Sequence, residues 1–126
     1  MARILIVDDD PASRRVLRVI LSQITNTEFL EAENGAEAMS LALEQKLDLI
    51  LLDIMMPVMN GIEFLKRSAA DERLSGVPVV MVTALTEREM IVESVTLGAR
   101  DYIVKPFDPQ GLRVKVTQLL RRPTSH

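Results

Sequence analysis

At 126 residues and 14.1 kDa the chain has the length of one domain, enough to bury a hydrophobic core of its own. A formal net charge of -3 and a pI near 5.2 argue against nucleic acid or an anionic membrane as a direct partner, although Arg121 and Arg122 make the last helix locally basic. There is no cysteine, so disulfides and thiolate metal sites are excluded; with no apolar run near the ~20 residues of a membrane span and no signal-peptide layout in Met1 to Asp10, a soluble cytoplasmic protein is expected.

The first predicted strand, Ile4 to Val7, is a run of branched residues that stops on three acids, Asp8, Asp9 and Asp10. Asp10 before Pro11 has the form of a helix N-cap with proline at the first helical position. Val16, Leu17, Ile20, Leu21 and Ile24 recur at helical spacing and predict one buried stripe on the first helix. Thr27 to Ala32 reads as a partly alternating second strand. Asn34 with Glu37 has capping-box spacing, and Ala38, Met39, Ala42 and Leu43 supply the apolar face of a second helix.

Leu49 to Leu52 do not alternate with polar residues, which predicts a strand covered on both faces, as in a parallel sheet between helices. It ends on Asp53, at the edge where open α/β sheets bind ligands. Asn60-Gly61 opens a third helix with Ile62, Leu65 and Ala69 facing inward. After a loop at Ser75 to Pro78, Val79 to Val82 is a second doubly buried strand ending on Thr83. Thr86 with Glu89 repeats the capping-box spacing for a fourth helix that runs to Leu97, where Gly98 supplies a stop. Tyr102 to Val104 is the fifth strand, ending on Lys105-Pro106. Asp108-Pro109 caps a fifth helix whose Leu112, Val116, Leu119 and Leu120 face the core. The domain is expected to span residues 1–122, with 123–126 a tail or the start of a linker. Five strands alternating with five helices imply an α/β fold, a doubly wound parallel sheet with right-handed crossovers.

Four strands therefore deliver functional groups to one edge: Asp8 and Asp9, Asp53, Thr83 and Lys105. Carboxylates ~5 Å apart repel by roughly 3 kcal/mol per pair at an effective dielectric of ~20, so positive charge has to offset them. Lys105 is one source, and a hard divalent cation such as Mg²⁺, which prefers carboxylate oxygens, waters and phosphate oxygens, is the natural other. Such a site suits phosphoryl chemistry, with a free carboxylate as nucleophile and the Thr83 hydroxyl donating to a phosphoryl oxygen.

ILIVDDD, LILLDIMMPVMNG, VVMVTAL and GARDYIVKPF, in this order, resemble the signature segments of the receiver domains of two-component response regulators, over Arg3 to about Arg121. The resemblance implies a flavodoxin-like, CheY-like fold with strand order 2-1-3-4-5. It implies Asp53 as phospho-acceptor, Mg²⁺ bound by Asp9, Asp53 and the main-chain carbonyl of Met55, and Asp8 in the acidic pocket. Thr83 and Lys105 would contact the phosphoryl group, the bond to Pro106 would be cis, and Tyr102 would be the aromatic switch residue, with Ala84 a small neighbour. The donor would be a histidine kinase or histidine phosphotransfer protein, since the one histidine, His126, lies at the chain's end. Signal would leave through the face of helix 4, strand 5 and helix 5 toward an output protein or domain, with a phosphorylation-dependent dimer left open. Apart from its own phosphorylation and dephosphorylation, no enzymatic activity is expected.

Met55 and Leu85 are apolar where family members vary, so neither is expected to position a hydrolytic water, and loss of the phosphoryl group is not expected to be among the family's fastest. Arg100 and Gly111 stand where the branch with winged-helix DNA-binding domains usually carries acids, which weighs against that branch. A stand-alone regulator and the amino-terminal receiver of a larger protein both remain open. Met55, Met56 and Met59 are read either as a docking surface or as packing over the sheet edge. Two rival functions carry weight. A haloacid-dehalogenase-like phosphatase would use Asp8 as nucleophile in the D-x-D of Asp8 and Asp10, but it offers only Asp108 after the lysine and leaves Asp53 without a purpose. A receiver-like binding module independent of phosphorylation would not need the intact acids, threonine and lysine.

Overall fold

The computed structural model describes residues 1–121; the predicted tail lies outside the described residues. Five strands, β1 (Ala2–Val7), β2 (Thr27–Ala32), β3 (Leu49–Leu52), β4 (Val79–Thr83) and β5 (Asp101–Val104), alternate with five helices. These are α1 (Pro11–Leu21), α2 (Gly35–Glu44), α3 (Gly61–Ala69), α4 (Arg88–Thr96) and α5 (Pro109–Arg121). All pairings are parallel and the order is β2-β1-β3-β4-β5, the flavodoxin-like arrangement expected from the sequence.

The sheet divides the core in two, because successive side chains of a strand point to opposite faces. Leu5, Val7, Ile50, Leu52 and Met81 pack with α2 and α3 residues on one side. Ile4, Ile6, Leu49, Leu51, Val80 and Val82 pack with α1 and α5 on the other. Every residue of β3 and β4 is buried, which is why their sequences do not alternate.

Several helix expectations need correction. Val16 is exposed and Ile24 lies beyond the end of α1, so its buried stripe is Leu17, Ile20 and Leu21. On α2, Ala38 and Ala42 are buried but Leu43 faces outward. On α3, Ala69 is exposed and Phe64 and Ser68 take the inward places; Ser68 fits because its hydroxyl donates to the Leu65 carbonyl. Thr86 is not the cap of α4: the N-cap residue is the next one, Glu87, and it makes no side-chain cap bond. Asp10, Asn34 and Asp108 do accept from first-turn amides, and Gly98 ends α4 at a φ of +106°. The reciprocal bond of the second helix goes from the Glu33 amide to Glu37, one residue before the cap. The full capping box belongs to Asn60 and Glu63 on α3.

Candidate functional site

The carboxyl ends of β1 and β3 are neighbours in the sheet, with Val7 paired to Leu52, so the residues that follow, Asp8 and Asp53, emerge side by side. The Asp53 amide donates to the Val7 carbonyl at 3.0 Å, which fixes how the chain leaves β3. Helix α3 then closes on this exit. The Gly61 amide donates to the Ile54 carbonyl at 2.9 Å, and a Cβ on Gly61 would collide with the Asp53 carbonyl oxygen. The loop between β3 and α3 is held from the other side, where the Gly35 amide at the start of α2 donates to the Met59 carbonyl at 2.8 Å. In that loop Val58 takes a φ of +67°, a region that branched side chains rarely occupy.

Asp8, Asp9 and Asp53 each bring a carboxylate oxygen within 4.8 Å of the others. Asp8 and Asp53 are buried, whereas Asp9 is exposed. From β5, the Lys105 ammonium donates to Asp8 Oδ2 at 2.6 Å and to Asp53 Oδ2 at 3.4 Å. Burial works against its charge, but the Asp8 hydrogen bond and the charges of Asp53 and Asp8 outweigh that and hold its pKa above the ordinary lysine value. The other oxygens are tied to backbone: Asp53 Oδ1 accepts from the Ile54 amide at 2.7 Å, and Asp8 Oδ1 from the Asp10 amide at 2.9 Å. Three carboxylates facing one ammonium leave the cluster with net negative charge. Closely grouped hard oxygen donors with one exposed member fit a small divalent cation such as Mg²⁺ that retains waters.

The remaining predicted residues belong to β4, β5, the segments that follow them and the loop after β3. Thr83 is buried at the end of β4, and its hydroxyl accepts weakly from the Leu85 amide at 3.4 Å. Ala84 beside it is exposed. Tyr102 is half-buried and its hydroxyl donates to the Leu85 carbonyl at 2.9 Å, so one peptide segment links the threonine to the tyrosine. Burial pushes the Tyr102 phenol pKa upward, with the charges of Glu87 and Asp53 acting in the same direction. The Lys105–Pro106 peptide bond is cis, and Pro106 itself is exposed. Met56 and Met59 pack against the α2–α3 core, while Met55 is exposed.

Two neighbours escaped the sequence reading. Ser13 Oγ lies 3.5 Å from the Lys105 ammonium and donates to Asp10 Oδ2 at 3.1 Å. Arg14 Nη1 donates to the Asp8 carbonyl oxygen at 2.6 Å. The cap at Asp10 is the signal that could have found both, since a helix starting there brings its first turn back over the acids. Asp10 itself is occupied as that cap and stands outside the three-carboxylate cluster.

A doubly wound parallel sheet with an acid cluster and a lysine at its carboxyl edge, the edge where open α/β sheets bind ligands, defines a flavodoxin-like domain. Residues 4–117 match the response regulator receiver domain model, and the chain belongs to that family, the CheY-like receivers of two-component systems. It is 38% identical over 120 residues to the chemotaxis protein CheY of Pseudomonas aeruginosa, covering 95% of this chain and 97% of that protein. It is 41% identical over 119 residues to the phosphate regulon transcriptional regulatory protein PhoB of the same organism, covering 94% of this chain but 52% of that protein. The chain thus spans nearly all of the first relative and about half of the second. Among solved structures, a CheY-like receiver domain protein from Methanospirillum hungatei superposes with a TM-score of 0.86 at 34% identity, covering 95% of this chain and 94% of that one.

Proposed function

We propose that this receiver is a phosphorylation-dependent signalling switch, with Asp53 accepting a phosphoryl group from a histidine kinase or histidine phosphotransfer protein. The observation that carries the reading is the position of Asp53: a buried carboxylate grouped with two others and within 3.4 Å of the Lys105 ammonium. Mg²⁺ would be held by Asp9, Asp53 and the Met55 carbonyl, with Asp8 completing the acidic pocket; when bound it supplies positive charge against the phosphoryl oxygens. Asp53 would attack phosphorus through a carboxylate oxygen, forming a mixed anhydride while the donor's imidazole nitrogen leaves. Lys105 offsets the charge that develops on the phosphoryl oxygens, as a preorganised cation in a partly dry site does.

The Thr83 hydroxyl is the reporter. Drawn toward a phosphoryl oxygen, it would give up its contact with the Leu85 amide, and Tyr102, bonded to the same residue's carbonyl, would feel the shift. The change would pass to the face of α4, β5 and α5 and from there to an output protein or domain.

The dehalogenase-like reading is less favoured, because Asp10 spends its carboxylate on the α1 cap and Asp53 then stands beside Lys105 without a role. The two readings separate in one experiment with acetyl phosphate and Mg²⁺. A single stoichiometric modification mapped to Asp53 and lost in Asp53→Asn is expected; modification at Asp8, or none, would overturn the proposal.

A further inference from the structure

The carboxylate that most needs outside help to hold its place is Asp9. It is the exposed member of the acid cluster, and its side chain accepts no hydrogen bond from the described residues. Its direction is therefore set by its own backbone, through the two peptide units that flank it. The second, joining Asp9 to Asp10, is pinned by its N–H, which donates to Asp8 Oδ1 at 2.9 Å. The first, joining Asp8 to Asp9, is pinned by its carbonyl, which accepts from Arg14 Nη1 at 2.6 Å.

Arg14 is itself fixed. Its side chain is only 15% exposed, and its Nε donates to Glu31 Oε1 on β2 at 2.8 Å. Arg18, one turn further along α1, donates to the other oxygen of Glu31 at 2.7 Å but does not reach Asp8. A planar guanidinium is suited to bridging a carboxylate and a carbonyl at once, which an ammonium on a flexible stem does poorly.

We propose that Arg14 is a positioning residue for the divalent-cation site: it clamps the Asp8–Asp9 peptide against α1 and so aims the Asp9 carboxylate at the position shared with Asp53. Glu31 orients Arg14 in turn. The inference rests on the cation reading given above and adds residues that bind neither metal nor phosphoryl group. Partners of metal ligands typically change metal affinity by about 10–100-fold when removed.

The sign of the effect separates positioning from plain electrostatics. Arg14 is a cation next to an acidic cluster, so by charge alone its removal would tighten Mg²⁺ binding. Positioning demands the opposite.

The test is Mg²⁺ titration of the full chain followed by NMR of the backbone amides around Asp9 and Asp53, with thermal unfolding measured in parallel without metal. Arg14→Gln is expected to weaken Mg²⁺ about 10-fold. Arg14→Lys, which keeps the charge, should also weaken it, and Arg18→Gln, which perturbs the same ion pair without touching Asp8, should leave affinity within about 2-fold of the parent. Unchanged or tighter binding in Arg14→Gln would overturn the proposal, as would equal weakening in Arg18→Gln. A lower Tm in Arg14→Gln with unchanged affinity would assign Arg14 a purely structural role and equally overturn it. If the parent itself shows no saturable Mg²⁺ shifts, it is the cation reading that fails first, and the Arg14 proposal falls with it.

Discussion

Gly61 shows how far a single residue can be constrained by the backbone of the proposed phospho-acceptor. It begins α3, yet its importance lies eight positions upstream, because the space a Cβ would need is filled by the carbonyl oxygen of Asp53. A methyl group there has to push either the helix or the acid-bearing backbone aside, and overpacking of this kind costs about 1–3 kcal/mol. Gly61→Ala is therefore expected to lower Tm and to slow modification of Asp53 by acetyl phosphate, whereas Gly76→Ala, with open space around it, should do neither. The sequence marks Asn60-Gly61 as a helix start, which is a local signal. That the same glycine is a contact for Asp53 depends on how α3 folds back on β3, and no spacing rule carries that information.

At the scale of elements, legibility follows burial. β3 and β4 were readable because both faces are covered and the chain has no reason to alternate; β2, read from its partial alternation, runs over the expected Thr27–Ala32, with the Asn34 cap close behind it. The exposed faces misled. Val16 and Leu43 are apolar but face solvent, and helical spacing cannot tell an inward valine from an outward one at the border of a stripe. The clamp that joins α1 to β2 was invisible for another reason: Arg14, Arg18 and Glu31 meet only once β2 lies beside β1. Its strength depends on pH in a definite direction. The Arg14 hydrogen bond is the largest influence and lowers the Glu31 carboxyl below its ordinary value of 4.5; burial comes next and opposes it, and the Arg18 hydrogen bond and the two guanidinium charges carry the balance downward. A depressed carboxyl pKa stabilises the fold above the unfolded-state value, and the gain disappears as pH falls through the folded-state value. The Tm of the parent should therefore exceed that of Glu31→Gln at neutral pH by an amount worth about 1 kcal/mol, and the two melting curves should converge as pH falls below 4.5 and through the lower folded-state value.

For the whole molecule, the acid cluster is a concentration of negative charge that the fold has to carry. Two of its three carboxylates are buried and a single ammonium faces them, so the folded state holds an excess of negative charge that the unfolded chain disperses into water. Two core layers, each spanning the full sheet, are what tolerate it. The four residues of the cluster follow the ends of β1, β3 and β5, of which β1 and β3 are neighbours and β5 lies beyond β4, and the convergence was legible because a parallel sheet brings all its carboxyl ends to one side. Asp9 is the member whose charge can be removed with least disturbance, since it is exposed and its side chain accepts no hydrogen bond from the described residues. Asp9→Asn should accordingly raise Tm in chelator-treated protein, by an amount worth about 1 kcal/mol at the effective dielectric of a surface site. In the parent, Mg²⁺ should raise Tm in proportion to the logarithm of its concentration above Kd, as linkage requires, and in Asp9→Asn that dependence should flatten. A parent whose Tm ignores millimolar Mg²⁺, or an Asp9→Asn protein less stable than the parent without metal, would mean that the cluster is balanced by the protein alone. Stability and signalling would then not compete at this edge of the sheet, and the exposed aspartate would need another explanation.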